Sequence, residues 1–216
     1  MMNKDPYLQE NGVLKNLLGI TDGEELFRAE QDITFMTIAS HREIIPDKVD
    51  FKHLKAIHKH IFGDIYAWAG QLRTIPVEKP EEVLGGDTVR YPVPSEIEKN
   101  ANAAIADLEA IEWGKLSTHE KAEQLAQKVA KVWQTHPFRE GNTRVVAVFM
   151  AQFAEVKGFS MDVTLFRQHP VYTRRAFVKA SDGPYSEYQY LTKIIEDSIN
   201  KGPNKLKPMV QRGARQ

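Results

Sequence analysis

The run Gln134-Thr135-His136-Pro137-Phe138-Arg139-Glu140-Gly141-Asn142-Thr143-Arg144-Val145-Val146-Ala147-Val148-Phe149-Met150-Ala151-Gln152-Phe153 passes from one helical pattern into another, and its reading decides the fold. Upstream, Ala122, Leu125, Val129 and Trp133 recur at spacings of three and four, behind a Ser117/Glu120 pair with the capping-box arrangement. That helix cannot run through Pro137 without strain, so the chain turns there, and Gly141 permits a tight backbone path. Val145, Val146, Phe149, Met150 and Phe153 then draw a strongly apolar helix. Its longest apolar run, residues 145–151, falls far short of the roughly 18 residues that span a bilayer, so it reads as a core helix.

Outward from this pair, helical periodicity continues in both directions. Thr21 with Glu24 and Ser95 with Glu98 repeat the capping-box spacing; the first leads into Leu26, Ala29, Ile33 and Met36, the second into Ile97, Ala101, Ile105, Leu108 and Ile111. Phe51, Leu54, Ile57 and Ile61 mark another stripe, and Tyr190, Leu191, Ile194 and Ile195 one near the end. The expectation is an all-α domain, a bundle of about six to eight helices. One segment departs from it. Residues 73–77 and 88–93 are rich in β-branched and apolar residues with Gly85 and Gly86 between them, which predicts a small hairpin at about 73–93, confined by its prolines to an edge or an isolated ribbon. Residues 1–200 read as a single domain with an N-terminal helical extension, and 201–216 as a tail.

The 216 residues carry 29 Lys plus Arg against 29 Asp plus Glu. Lys201, Lys205, Lys207, Arg212 and Arg215 are the only charged residues after Asn200, so a body of net charge minus five is cancelled by a tail of plus five. The tail, with Gly202, Pro203, Pro208 and Gly213, reads as a disordered, solvated extension, with an electrostatic tether to an acidic partner as the alternative. Balanced charge argues against a nucleic-acid partner, since much of that affinity arises from neutralised phosphates. The absence of cysteine excludes disulfides and thiol catalysis and fits a reducing cytoplasm. The N-terminal Met-Met-Asn-Lys-Asp-Pro lacks the apolar stretch of a secretion signal, and no membrane segment is expected.

The loop between the two helices carries the chemistry. Backbone N–H groups of the first turn of a helix have no internal partners and sit at the positive end of its dipole, so the segment after Gly141 is suited to a phosphate. Asn142 can add an amide donor and Arg144 a bidentate guanidinium. Glu140 offers a hard oxygen ligand for Mg²⁺, which typically binds through one or two carboxylates plus substrate phosphates. His136 can serve as general base near neutral pH. Phe138 is expected to anchor the loop in the core, and Arg139 could as easily face solvent.

His136-Pro137-Phe138-Arg139-Glu140-Gly141-Asn142-Thr143-Arg144 resembles the signature of the Fic family, HPFx(D/E)GN(G/K)R, and residues 66–74, Tyr-Ala-Trp-Ala-Gly-Gln-Leu-Arg-Thr, look like that family's helix-to-flap junction. The resemblance extends over roughly residues 20 to 200. It implies the Fic (Fido) helical fold with a flap hairpin, and adenylylation of a target protein: a Tyr, Ser or Thr hydroxyl attacks the α-phosphate of ATP, AMP is transferred and pyrophosphate leaves. By the same resemblance His136 is the catalytic base, and residues 138–144 (Phe138, Arg139, Glu140, Gly141, Asn142, Thr143 and Arg144) form the nucleotide-binding loop, with Glu140 on Mg²⁺. A target protein docked along the flap, a small inhibitory antitoxin chain and a bacterial cytoplasmic, toxin-like setting complete the implied picture.

Two positions depart from the family pattern. Thr143 stands where adenylylating members most often have glycine and the protein kinases of the Doc type have lysine. No second arginine follows Arg144 at a spacing of three, where Ala147 stands, and the inhibitory pattern of Ser or Thr, three residues, Glu, then Gly or Asn is absent: Thr21 to Glu25 and Thr192 to Glu196 read as solvent faces of helices. The alternatives to an adenylyltransferase are a catalytically silent nucleotide-binding protein and a Doc-like kinase. Elsewhere, His53, His58 and His60 read as surface histidines; Trp68, Trp113 and Trp133 as packing residues; and Arg174, Arg175 and Lys179 as a solvated helix face.

Overall fold

The structure, a computed structural model, describes residues 5–40 and 48–202. Among them are eight α-helices: α1 (Gly23–Ala39), α2 (Phe51–Phe62), α3 (Ile97–Glu109), α4 (Thr118–Gln134), α5 (Asn142–Val156), α6 (Thr164–Gln168), α7 (Pro170–Ala180) and α8 (Gln189–Lys201). The all-α expectation holds. The tail from residue 203 onward lies outside the described residues. No helix among those described is long and apolar enough to cross a membrane.

The apolar run that opened the sequence forms the centre. From Val145 to Ala154 every residue of α5 is buried, because α2, α4, α6 and α7 surround it. A helix apolar on all sides is stable only in such a position. Around it α4 buries Ala122, Leu125, Val129 and Trp133, and α2 buries Phe51, Leu54, Ile57 and Ile61, both as their stripes predict. The Ser117/Glu120 capping box forms on α4. The other two caps differ. Asp22, not Thr21, accepts from the Glu25 N–H at 2.8 Å, and α3 starts behind a 3₁₀ turn at Pro94–Glu96 without a side-chain cap.

The stripe on α1 is also rotated from its expectation. Leu26, Glu30, Thr34 and Ile38 are buried, whereas Met36 is 67 % exposed. Two polar residues face inward because each finds a polar partner there, described below. Near the end, α8 buries Leu191, Ile194 and Ile195 but leaves Tyr190 at the surface.

The predicted hairpin is an extended excursion instead, with no paired strands among the described residues. Pro76, Pro80, Pro92 and Pro94 remove ladder donors. The two arms are joined by a side chain: Arg73 donates from Nη1 to the Ile75 carbonyl (2.7 Å) and from Nη2 to the Pro92 carbonyl (2.5 Å). At the tip a 3₁₀ turn (Glu82–Leu84) closes through Gly85 at φ 66°, and Glu81 and Glu82 form ion pairs with Arg174 and Arg175 of α7. The excursion is thereby fastened at its base to the 136–144 loop, through the Arg73 N–H to the Pro137 carbonyl at 2.8 Å, and at its tip to α7.

Candidate active site

The loop between α4 and α5 is built by three devices. Gly141 takes φ 80° and occupies the N-cap of α5; a Cβ there would lie 2.3 Å from the Phe62 ring, so both conformation and space demand glycine. Asn142 closes the loop on itself, its Oδ1 accepting from the Phe138 N–H (3.0 Å) and its Nδ2 donating to the Phe138 carbonyl (2.8 Å). Phe138, fully buried, stacks on the His58 ring with centroids 3.9 Å apart.

Asn142 and Arg139 both have partners within the chain. The Asn142 carboxamide holds the loop backbone through its oxygen and one of its two N–H donors, while the residue also lines the pocket. Arg139 donates from Nε (3.1 Å) and Nη2 (2.9 Å) to Asp5, so it holds the N-terminal segment instead of facing solvent or a nucleotide. Neither Arg139 nor Phe138 lines the adjacent pocket, whereas His136, Glu140, Gly141, Asn142, Thr143 and Arg144 all do. Thr143 accepts at Oγ1 from the Trp133 indole N–H at 3.0 Å, which ties the first turn of α5 to the last of α4. The α5 N-terminus has no side-chain cap, so its first-turn N–H groups are open to an acceptor.

His136 is the residue whose state demands explanation. It is 1 % exposed and takes φ 42°, the one non-glycine residue with positive φ among those described. Both ring nitrogens are buried without a hydrogen-bond partner. An unmatched buried polar group costs about 1–3 kcal/mol, and strained backbone of this kind persists only where its surroundings enforce it. Three contacts do so: Arg73 Nε donates to the His136 carbonyl at 2.8 Å, and the Tyr91 and Trp133 rings flank the imidazole at 4.4 and 5.4 Å. Burial, followed by the positive charges of Lys79, Arg174 and Arg73, pushes the imidazole well below its ordinary pKa, so it is held neutral.

Glu140 faces the same pocket. Its Oε1 accepts from the Gly141 N–H at 2.9 Å and lies 4.0 Å from Arg144. Burial pushes the carboxyl upward, but Lys79, the Gly141 N–H, Arg144 and Arg139 outweigh it and hold the group below the usual carboxylate range. Among the described residues no three His, Cys, Asp or Glu side chains gather as a metal cage. One ionised carboxylate lining a pocket at a helix N-terminus is the donor set that suits Mg²⁺ bound jointly with phosphates, so the residues fit that ion as a shared ligand.

Arg144 is held from α1. Its Nη2 donates to Glu30 Oε1 at 2.6 Å, its Nη1 to Thr34 Oγ1 at 3.2 Å, and its guanidinium lies over the Phe62 ring at 4.8 Å. The Tyr66 hydroxyl donates to the other Glu30 oxygen. This explains the inward turn of Glu30 and Thr34. Spacing gave one signal: residues 30 and 34 lie one turn apart, on one face.

His58 corrects another expectation. It is fully buried, its Nδ1 accepts from the Gly70 N–H (2.8 Å), and its Nε2 then carries the proton donated to the Glu140 carbonyl (3.1 Å). Burial depresses its pKa to about 3, so it is a neutral strut beneath the loop. His53 is buried as well, bonded to Gln152 at 2.6 Å, and neither is the surface histidine that their spacing suggested. Arg174 likewise turns inward to line the pocket, as does Lys79 from the 73–93 excursion, a position without any signal in the sequence pattern.

The Fic/DOC family model matches residues 48–154, which include α2, the excursion and the loop. Over 155 residues the chain is 36 % identical to "Probable protein adenylyltransferase y4lH" of Sinorhizobium fredii, a match covering 69 % of this chain and 74 % of that one. It is 34 % identical over 160 residues to "Probable protein adenylyltransferase Fic" of Salmonella typhimurium, covering 73 % and 76 %. In architecture it is similar to the N-terminal Fic domain of a Bartonella quintana cell filamentation protein, solved with bound ADP, at a TM-score of 0.72 and 24 % identity over 89 % of this chain and 93 % of that one. A loop built on His136, Glu140, Gly141, Asn142 and Arg144, in a bundle of this architecture and with relatives this similar, leaves one conclusion: the chain belongs to the Fic/DOC family.

Proposed function

We propose that this Fic-family protein adenylyltransferase takes AMP from ATP and places it on a Tyr, Ser or Thr hydroxyl of a target protein. The carrying observation is His136, a neutral imidazole beside an uncapped helix N-terminus, with both nitrogens lacking partners. The target hydroxyl supplies the missing partner: an imidazole nitrogen takes its proton as the oxygen bonds to the α-phosphorus, the bond to the bridging oxygen breaks, and pyrophosphate leaves. The open N–H groups at the start of α5 and the Arg144 guanidinium orient and neutralise the phosphates. Mg²⁺ held by Glu140 would supply further charge neutralisation when bound. The ADP in the Bartonella quintana domain supports an adenine nucleotide in this pocket. In this reading the target lies along the 73–93 excursion, whose extended backbone can pair with a peptide strand, and a separate inhibitory chain regulates a bacterial cytoplasmic enzyme.

Incubation of the purified chain with a bacterial lysate and ATP labelled at the α-phosphate tests the reaction. Labelled protein bands that vanish with His136→Ala are expected. Label transferred from the γ-phosphate alone would make the chain a kinase, and no His136-dependent label from either position would make it a silent binder.

A further inference from the structure

The pocket beside His136 receives three cations from outside the 136–144 loop: Lys79 from the excursion, Arg174 from α7 and Arg167 from α6, whose guanidinium lies over the Phe35 ring at 3.7 Å. They are not equivalent. Arg174 is paired with Glu81, and Arg144 with Glu30, so each of these guanidinium charges is already met by a carboxylate. The Lys79 ammonium makes no hydrogen bond or ion pair among the described residues, although its side chain is half-buried against the pocket. Its backbone is fixed: the Lys79 N–H donates to Thr88 Oγ1 at 3.0 Å across the excursion, whose tip is tied to α7. An ammonium in a pocket wall that no carboxylate contacts directly, beside a Glu140 carboxylate in the same pocket, is placed to meet an anion entering it.

We propose that Lys79 is a nucleotide-binding residue, the cation that closes the pocket over the phosphate chain of the adenine nucleotide. This rests on the reading of the pocket as a nucleotide site and adds the excursion to its binding machinery. The 73–93 segment then has a role toward the nucleotide besides any role toward the target protein. Lys79 shares the pocket lining with His136, Glu140 and Arg144.

The test is titration calorimetry of the full chain with ADP and with adenosine, comparing wild type, Lys79→Met and Lys79→Arg, alongside the melting temperature of each. Roughly tenfold weaker ADP binding by Lys79→Met is expected, with adenosine affinity unchanged and Lys79→Arg within about threefold of wild type. Equal ADP binding by wild type and Lys79→Met would overturn the proposal, and so would a parallel loss of ADP and adenosine, which marks a structural role for the residue. A wild-type chain that binds neither ligand overturns the nucleotide reading itself, and Lys79's role with it.

Discussion

Glu30 on α1 and Arg144 at the start of α5 form a 2.6 Å ion pair that joins the first described helix to the loop between α4 and α5. The pair is mostly shielded from water, with side chains 8 % and 23 % exposed, and the second Glu30 oxygen accepts from the Tyr66 hydroxyl. Removing one member strands the other, which costs about 3–5 kcal/mol where burial is complete and less at this partial exposure. Glu30→Gln is expected to lower unfolding stability by about 2 kcal/mol, read from urea midpoints at unchanged slope. In a double-mutant cycle with Arg144→Met the two losses should couple by about 1–3 kcal/mol. Additive losses would show that the pair contributes nothing beyond its separate contacts.

Gly141 is fixed by space as much as by backbone conformation. An added Cβ meets the Phe62 ring at 2.3 Å while φ stays at 80°. Gly141→Ala is therefore expected to cost about 2 kcal/mol or more, from left-handed strain together with overpacking. Phe62→Leu in the same chain should recover part of that loss, because it removes the clash and leaves the strain. Thermal denaturation of the single and double variants separates the two contributions; a double variant no more stable than the sum of the singles would argue that the ring is not the obstacle.

Asn142 reads in the sequence as a donor to phosphate, and the structure makes it a staple. Asn142→Ala leaves a buried N–H and carbonyl of Phe138 without partners, each worth about 1–3 kcal/mol. The expected result is a chain destabilised by about 2 kcal/mol whose His136-dependent transfer falls through kcat more than through KM for ATP, since the loop loses its shape while Lys79 and Arg144 remain. A rise in KM alone would return Asn142 to the role of direct ligand.

The site was legible where its logic is local. Pro137 and Gly141 mark the turn, the apolar helix behind it marks the core, and the pocket-lining His136, Glu140 and Arg144 fall within nine residues. What came from elsewhere in the chain was not legible. The stripe drawn through Met36 failed because it counted apolar residues, while Arg144 on a helix more than a hundred positions away drew Glu30 and Thr34 inward. The hairpin expected over 73–93 does not form because, beyond Pro76 and Pro92, Pro80 and Pro94 also remove donors, and the Arg73 side chain takes the carbonyls of both arms. His58 illustrates the limit of spacing arguments: its neighbours say helix, but only the packing of Phe138 against it says buried.

The pH dependence of transfer follows from the charges around His136. Burial is the first influence disfavouring the protonated ring, followed by the charges of Lys79 and Arg73 from the excursion and Arg174 from α7, and Tyr91 and Trp133 pack on the imidazole. A base held below its ordinary pKa stays neutral as pH falls through 6.5, so the acid limb of kcat/KM should lie below that value. Removing a neighbouring cation stabilises imidazolium and raises the pKa, so the base is protonated at higher pH and the limb moves up. Lys79→Met is expected to shift it upward, and Lys79→Arg to leave it in place. Arg174→Met should move it less, because Glu81 already offsets that guanidinium. The position of the limb is independent of its height, so weaker nucleotide binding in the Lys79 variant does not obscure the result. An unmoved limb in Lys79→Met would mean that the Lys79 charge has no part in holding His136 neutral, leaving burial, Arg174 and Arg73.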